Sequence, residues 1–155
     1  MSLNMLDEFF VVPMELKHLE GVADLEIRTF PIPWSKESFK KEIQENKMAY
    51  YFVAIEHEKE KIIGYAGMWH VVTEGHITNV AVDEDHRRKG IGQKLISALI
   101  EVATQKEMIG LTLEVRIGNR SAMSLYSKNG FMVEGYRKNY YSDTKEDAAV
   151  MWKVL

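Results

Sequence analysis

Residues 76–99 read HITNVAVDEDHRRKGIGQKLISAL, and the reading of this stretch decides the fold. Ile77 to Val82 has the β-branched, apolar content of a buried strand, while Ile91, Leu95, Leu99, Val102 and Ala103 recur at the spacing of one helix face. The segment DEDHRRKG therefore carries the chain from a strand into a helix. Gly90 and Gly92 lie where that helix must begin. Its first amides thus point uncovered into the turn, with the positive end of the helix dipole behind them. Such a turn is an anion site, most naturally for phosphate.

Spacing separates three kinds of phosphate loop. A P-loop needs G-x-x-x-x-G-K-S/T, and neither glycine is followed by Lys-Ser or Lys-Thr. The dinucleotide fingerprint G-x-G-x-x-G fails too, because Gln93, Lys94 and Leu95 stand where the third glycine belongs. What remains is Arg87-Arg88-Lys89-Gly90-Ile91-Gly92. It resembles the R/Q-x-x-G-x-G/A loop whose amides bind the pyrophosphate of acetyl-coenzyme A in the GNAT acetyltransferase superfamily. On these six residues alone, a basic turn with a glycine-relaxed helix start stays open as the alternative.

A chain of 155 residues fits one domain, 1–155, and leaves no room for a second. Its 46% apolar and 28% charged residues are ordinary for a globular enzyme. No apolar run approaches the roughly 20 residues needed to span a bilayer. The start, MSLNMLDEFF, lacks a basic segment followed by an apolar one, so export is not expected. Cysteine is absent, which excludes disulfides and thiolate catalysis by the chain and suits a cytoplasmic protein. The five histidines form no H-x-x-x-H or tight carboxylate cluster, so no metal is expected. A net charge of −3 argues against non-specific binding of nucleic acid, and nothing points to a membrane.

Outward from the central stretch, Phe9 to Met14 reads as a first strand. Leu19, Val22, Ala23, Ile27 and Phe30 then form the stripe of an amphipathic helix that Pro31 and Pro33 end. Ser35 is a good cap for a second helix, Lys36 to about Asn46, with Phe39 and Ile43 buried. Tyr50–Glu56 and Lys61–Val72 are strands joined by the charged turn HEKEK. After the long helix to Lys106, Leu111–Arg116 alternates as a strand. Arg120–Asn129 is helical with Ala122, Leu125 and Tyr126 on one face, and Gly130 closes it. Strands Phe131–Tyr136 and about Ala148–Val154 finish the order β-α-α-β-β-β-α-β-α-β-β.

That order is the one expected of the GNAT fold. The resemblance therefore implies an α/β architecture, a mixed and mostly antiparallel central sheet with helices on both faces. Its most specific part is LEVRIGNRSAMSLYSKNGF, residues 113–131, followed by RKNYY, residues 137–141. These look like the RimI-type ribosomal-protein alanine acetyltransferases and their archaeal N-terminal acetyltransferase relatives. The family position of the general base falls on Glu114, otherwise a solvated strand glutamate. The general acid falls on Tyr126, otherwise a buried tyrosine satisfied by a backbone hydrogen bond. Arg87, Arg88, Lys89, Gly90, Ile91, Gly92 and Gln93 would form the pyrophosphate cradle of acetyl-coenzyme A, the co-substrate. Backbone groups of Val80, Ala81 and Val82 would pair with its pantetheine arm as with an added strand. Asn119 caps its helix and, by the resemblance, contacts the cofactor.

Trp34, in a rigid turn, is either a hydrophobic staple or a wall of the acceptor groove. Tyr140 and Tyr141 match the family loop beside the acceptor and could equally be strand-edge residues. The implied partner is a protein N-terminus, possibly that of a ribosomal protein. The same fold also serves lysine side chains and small amines, and a catalytically silent acetyl-coenzyme A sensor belongs to a different functional class.

Overall fold

The structure is a computed structural model that describes residues 8–155. Seven strands form one sheet: β1 (Phe9–Pro13), β2 (Ala49–Glu56), β3 (Ile62–Val71), β4 (Glu74–Val82), β5 (Gly110–Arg116), β6 (Met132–Arg137) and β7 (Ala148–Val154). Their spatial order is β1-β2-β3-β4-β5-β7-β6, antiparallel throughout except where β4 meets β5. The expected mixed, mostly antiparallel sheet is therefore present. Observed element ends differ from the expected ones by a few residues, the largest shift being β4, which begins at Glu74 rather than Ile77.

Helices cover both faces. Helix α3 (Ile91–Gln105) buries Ile91, Leu95, Ile96, Leu99 and Ala103 on one face, beside α4 (Arg120–Lys128). Helices α1 (Leu19–Thr29) and α2 (Lys36–Glu45) cover the other, packing Leu19, Val22, Leu25 and Phe39 against Tyr51, Val53 and Tyr65. Ser35 caps α2 as expected, its hydroxyl accepting the Ser38 N–H at 3.1 Å. In α1 the buried stripe differs from the sequence reading: Ile27 is 65% exposed, and Leu25 and Glu26 face inward instead. The reason is chemical. Glu26 accepts hydrogen bonds from the Tyr65 hydroxyl and the Trp34 N–H, and such partners are what make a buried carboxylate tolerable.

The turn after β4 is anchored by Asp83, which is 3% exposed. Arg28 of α1 donates to Oδ1, while Oδ2 meets His86 Nδ1 at 2.8 Å and Lys61 Nζ at 3.8 Å. Burial alone would raise the Asp83 carboxyl, but His86, Arg28 and Lys61 outweigh it and hold the group below the usual carboxylate range. A carboxyl depressed in the folded state adds stability above its unfolded pKa, near 3.9, and loses it as pH falls through the folded value. We expect Asp83→Asn to cost about 1–3 kcal/mol at neutral pH. Chemical unfolding should also show the wild type losing its advantage over the variant below about pH 4.

Candidate active site

Strands β4 and β5 pair over only three residues, Glu74 with Gly110, Gly75 with Leu111 and His76 with Thr112. Beyond His76, β4 continues on β3 while β5 continues on β7, so the facing edges part. Thr78 is an extra residue against β3, a bulge directly after the last β4–β5 pair, and bulges bend and twist a strand. The fork encloses a cleft of about 260 Å³ lined by Ile77–Val80 on one side and Leu113–Arg116 on the other, with Asn119, Ala122, Tyr126, Tyr141 and Phe30. Val80, Ala81 and Val82 lie on the β4 edge left unpaired by β5. Ala81 turns its side chain into the α1–α2 core, so toward the cleft it offers backbone alone.

The turn into α3 bends through positive φ at Arg88 (66°) and Gly90 (81°). Among the described residues, the N–H groups of Arg88, Lys89, Gly90, Ile91, Gly92 and Gln93 have no protein acceptor, and the first N–H engaged is that of Lys94, to the Gly90 carbonyl at 3.1 Å. Six consecutive amides beside the basic run at 87–89 thus await an acceptor, the arrangement that receives phosphate oxygens. Gly90 is needed for its left-handed backbone. Gly92 is needed for another reason: a Cβ there would stand 3.0 Å from Leu125 Cδ2, so its missing side chain lets α3 and α4 approach. Gln93 exchanges two side-chain hydrogen bonds with Asn129, at 2.8 and 2.9 Å, fastening the same two helices.

Glu114 and Tyr126 both line the cleft. The carboxylate is held on each oxygen, Oε1 by His76 Nε2 at 2.8 Å and Oε2 near Arg137 Nε at 3.5 Å. Tyr126 is 7% exposed, with its ring edge-on to Phe131. Its hydroxyl makes no hydrogen bond among the described residues, so the backbone-satisfied alternative is not what is found. Burial, then the charge of Tyr141, raises the Tyr126 hydroxyl above the usual phenol range, which keeps it protonated at neutral pH. Asn119 caps α4, accepting the Ala122 N–H at 3.2 Å, and lines the cleft as well.

A second cavity, of about 270 Å³, adjoins the cleft and shares Phe30, Asn79, Arg116 and Tyr141 with it. Its walls are Phe30–Ile32 and Trp34 from the α1–α2 connection and Tyr140–Asp143 from the β6–β7 loop, with Glu26 between. Trp34 packs on Phe39 at 5.4 Å between ring centroids, the contact of a staple, and also lines this cavity. Tyr140 and Tyr141 stand edge to face at 5.0 Å. Burial pushes the Tyr141 hydroxyl up to about 12, against the pull of Arg116 stacked 3.9 Å over its ring.

Sequence reasoning did not single out His76, Glu26 or Arg116. The alternation through Thr112, Glu114 and Arg116 was a usable signal for Arg116, since it puts that residue on the face of Glu114. Glu26 sits in a helix stripe with no local sign of its distant partners.

A model of the acetyltransferase (GNAT) family matches residues 19–131. The chain belongs to the GNAT acetyltransferase family. A provisionally named ribosomal protein bS18-alanine N-acetyltransferase of Bacillus subtilis strain 168 is 40% identical over 143 residues, covering 92% of this chain and 93% of the relative. The ribosomal protein bS18-alanine N-acetyltransferase of Escherichia coli K12 is 31% identical over 140 residues, covering 89% and 92%. The crystal structure of the Escherichia coli ribosomal-protein-S18-alanine N-acetyltransferase superposes with a TM-score of 0.83 at 30% identity, covering 94% of this chain and 93% of that one. Like these relatives, this GNAT protein is an N-acetyltransferase.

The two glycines of the GNAT loop should separate in a stability measurement. Gly92→Ala is expected to cost about 1–3 kcal/mol through crowding of Leu125, most of it recovered in the Gly92→Ala/Leu125→Ala pair relative to Leu125→Ala alone. Gly90→Ala, strained by its backbone, should cost about 1–2 kcal/mol with no such rescue. Equal behaviour of the two in denaturant-unfolding cycles would contradict these roles.

Proposed function

We propose that this chain, as a single GNAT domain over residues 1–155, transfers acetyl from acetyl-coenzyme A to the α-amine of a protein N-terminus, an alanine-first ribosomal protein being the acceptor. The observation that carries the proposal is the fork, where a held carboxylate and an unpartnered phenol share a cleft beside an amide-lined turn and an aromatic-walled cavity. The names of the relatives support the choice of acceptor, and a ribosomal acceptor puts the reaction in the cytoplasm.

The cradle amides at 88–93 and the basic residues 87–89 fit the pyrophosphate, and the open β4 edge fits the pantetheine arm; bound there, acetyl-coenzyme A supplies the activated acetyl group. An α-ammonium has pKa about 7.7–8.0, and Glu114 takes its proton, directly or through water. A backbone amide of the β4 edge at Val80–Val82 faces the thioester oxygen as negative charge develops on it. Tyr126 donates to the departing sulfur and is reprotonated by the second proton that the amine nitrogen sheds as the amide forms, while Glu114 passes the ammonium proton to solvent, so amide and thiol leave the enzyme in its starting state. The acceptor enters between Trp34 and the Tyr140–Tyr141 pair, where its first side chain must be small.

A lysine side chain fits this site less well. Its pKa near 10.4 lies about 2.5 units above that of an α-amine, or about 3.4 kcal/mol in deprotonation.

Mass spectrometry of peptides incubated with acetyl-coenzyme A tests the reading. An Ala-first peptide should be acetylated at its terminus, a blocked one left unmodified and a bulky first residue turned over more slowly. Glu114→Gln and Tyr126→Phe should each slow transfer by about 10²–10⁴-fold with cofactor affinity retained, Glu114→Gln most severely at low pH. Acetylation of an internal lysine in the blocked peptide at comparable rate would overturn the substrate, and unchanged rates in both variants the assignment of acid and base.

A further inference from the structure

We propose that His76 is the positioning residue of Glu114: its imidazole fixes the carboxylate at the head of the cleft. This rests on the reading of Glu114 as the base. His76 is the last residue of β4 paired with β5, opposite Thr112, and Glu114 lies two residues further along β5 on the same face. The 2.8 Å contact between His76 Nε2 and Glu114 Oε1 therefore straddles the point where the strands part. A carboxylate only accepts, so Nε2 donates.

The geometry divides the labour between the two residues. Glu114 lines the cleft and His76 does not, so His76 acts through Glu114. The imidazole is 32% exposed against 12% for the carboxylate, so His76 stands on the solvent side of Glu114. Three other charges belong to this neighbourhood. Arg137 stands 3.5 Å from Glu114 Oε2, Glu42 of α2 is engaged by Trp69, the residue opposite His76 in β3, and Arg116 is taken by Asp143 and Glu146. Arg137 stands at the second oxygen, so the position of Oε1 rests on His76.

The test is the pH dependence of kcat and kcat/KM with an Ala-first peptide for wild type, His76→Gln, His76→Leu and Glu114→Gln, each checked for an intact thermal transition. His76→Leu should lose about tenfold or more in kcat at every pH, as misplaced catalytic groups do, with the acetyl-coenzyme A KM unchanged. His76→Gln keeps a side-chain N–H donor, so its kcat should return to within about threefold of wild type. Equal loss in the Gln and Leu variants, or wild-type rates in both, would overturn the proposal. Where His76→Leu fails to fold, His76→Asn, whose shorter side chain withdraws the donor from Glu114, takes its place, and a rate equal to that of His76→Gln refutes the role. A fast Glu114→Gln would overturn the base itself and this role with it, whereas a slow Glu114→Gln beside a fast His76→Leu would overturn only the role of His76.

Discussion

The separation of β4 from β5 after His76 is the constraint on which the rest of the molecule depends. A sheet gains by pairing every strand edge, since a backbone group left buried without a partner costs about as much as a lost hydrogen bond. Here two edges within the sheet are left facing each other across a cleft, Ile77–Val82 on β4 and Leu113–Arg116 on β5. The arrangement is sustained from both sides, because β4 remains fully paired with β3 and β5 with β7. The bulge at Thr78 marks the place, with Thr78 Oγ1 and Asn79 Oδ1 buried beside the Tyr51 and Tyr65 hydroxyls.

The fork also sorts the molecule by face. On the α3–α4 face lie the amide-lined turn, the α3–α4 fastening by Gln93 and Asn129, and Tyr126. Glu114 and Arg116 alternate with the α3-facing Leu113 and Val115, and Trp34 packs with the α1–α2 core. In the proposed reaction the donor therefore approaches from one face of the sheet and the acceptor from the other, meeting only where the sheet is open. No element has to move for the two substrates to be kept apart.

Much of this was legible in the sequence because it rests on local rules. The strand–turn–helix unit at 76–99, the cap at Ser35, the hairpin at HEKEK and the glycine close at Gly130 are all set by residues within a few positions of one another, and each is found. The site residues Glu114, Tyr126, Asn119, Trp34, Tyr140 and Tyr141 also line the two adjoining cavities. What escaped was non-local. Ile27 satisfied the helical period, yet α1 is rotated to bury Glu26, whose partners Trp34 and Tyr65 are 8 and 39 residues away. Gly92 read as a glycine that lets phosphate approach, and the structure adds a second demand on it, from Leu125 on another helix. His76 stood just before the expected strand, and its hydrogen-bond partner lies 38 residues on, at Glu114.

The two segments that wall the second cavity have irregular backbones, yet buried or half-buried charges brace both. Glu26 receives the Trp34 N–H and so fixes the α1–α2 connection to the sheet through Tyr65. Arg116 reaches Asp143 at 3.1 Å, Thr144 at 3.1 Å and Glu146 at 3.6 Å, while stacking on Tyr141, and Glu146 in turn accepts the Gly118 N–H at 2.7 Å. A charge-assisted bond within a low-dielectric surround is stronger than its exposed counterpart, so a loop held this way keeps the shape of a cavity as a strand would. Tyr140, which lines the second cavity and not the cleft, can then change in size without disturbing the cleft, because the groups that set the wall's position lie behind it. In the proposed reaction acceptor preference resides in the braced loops and acetyl transfer in the fork, so the two are separable by substitution at Tyr140.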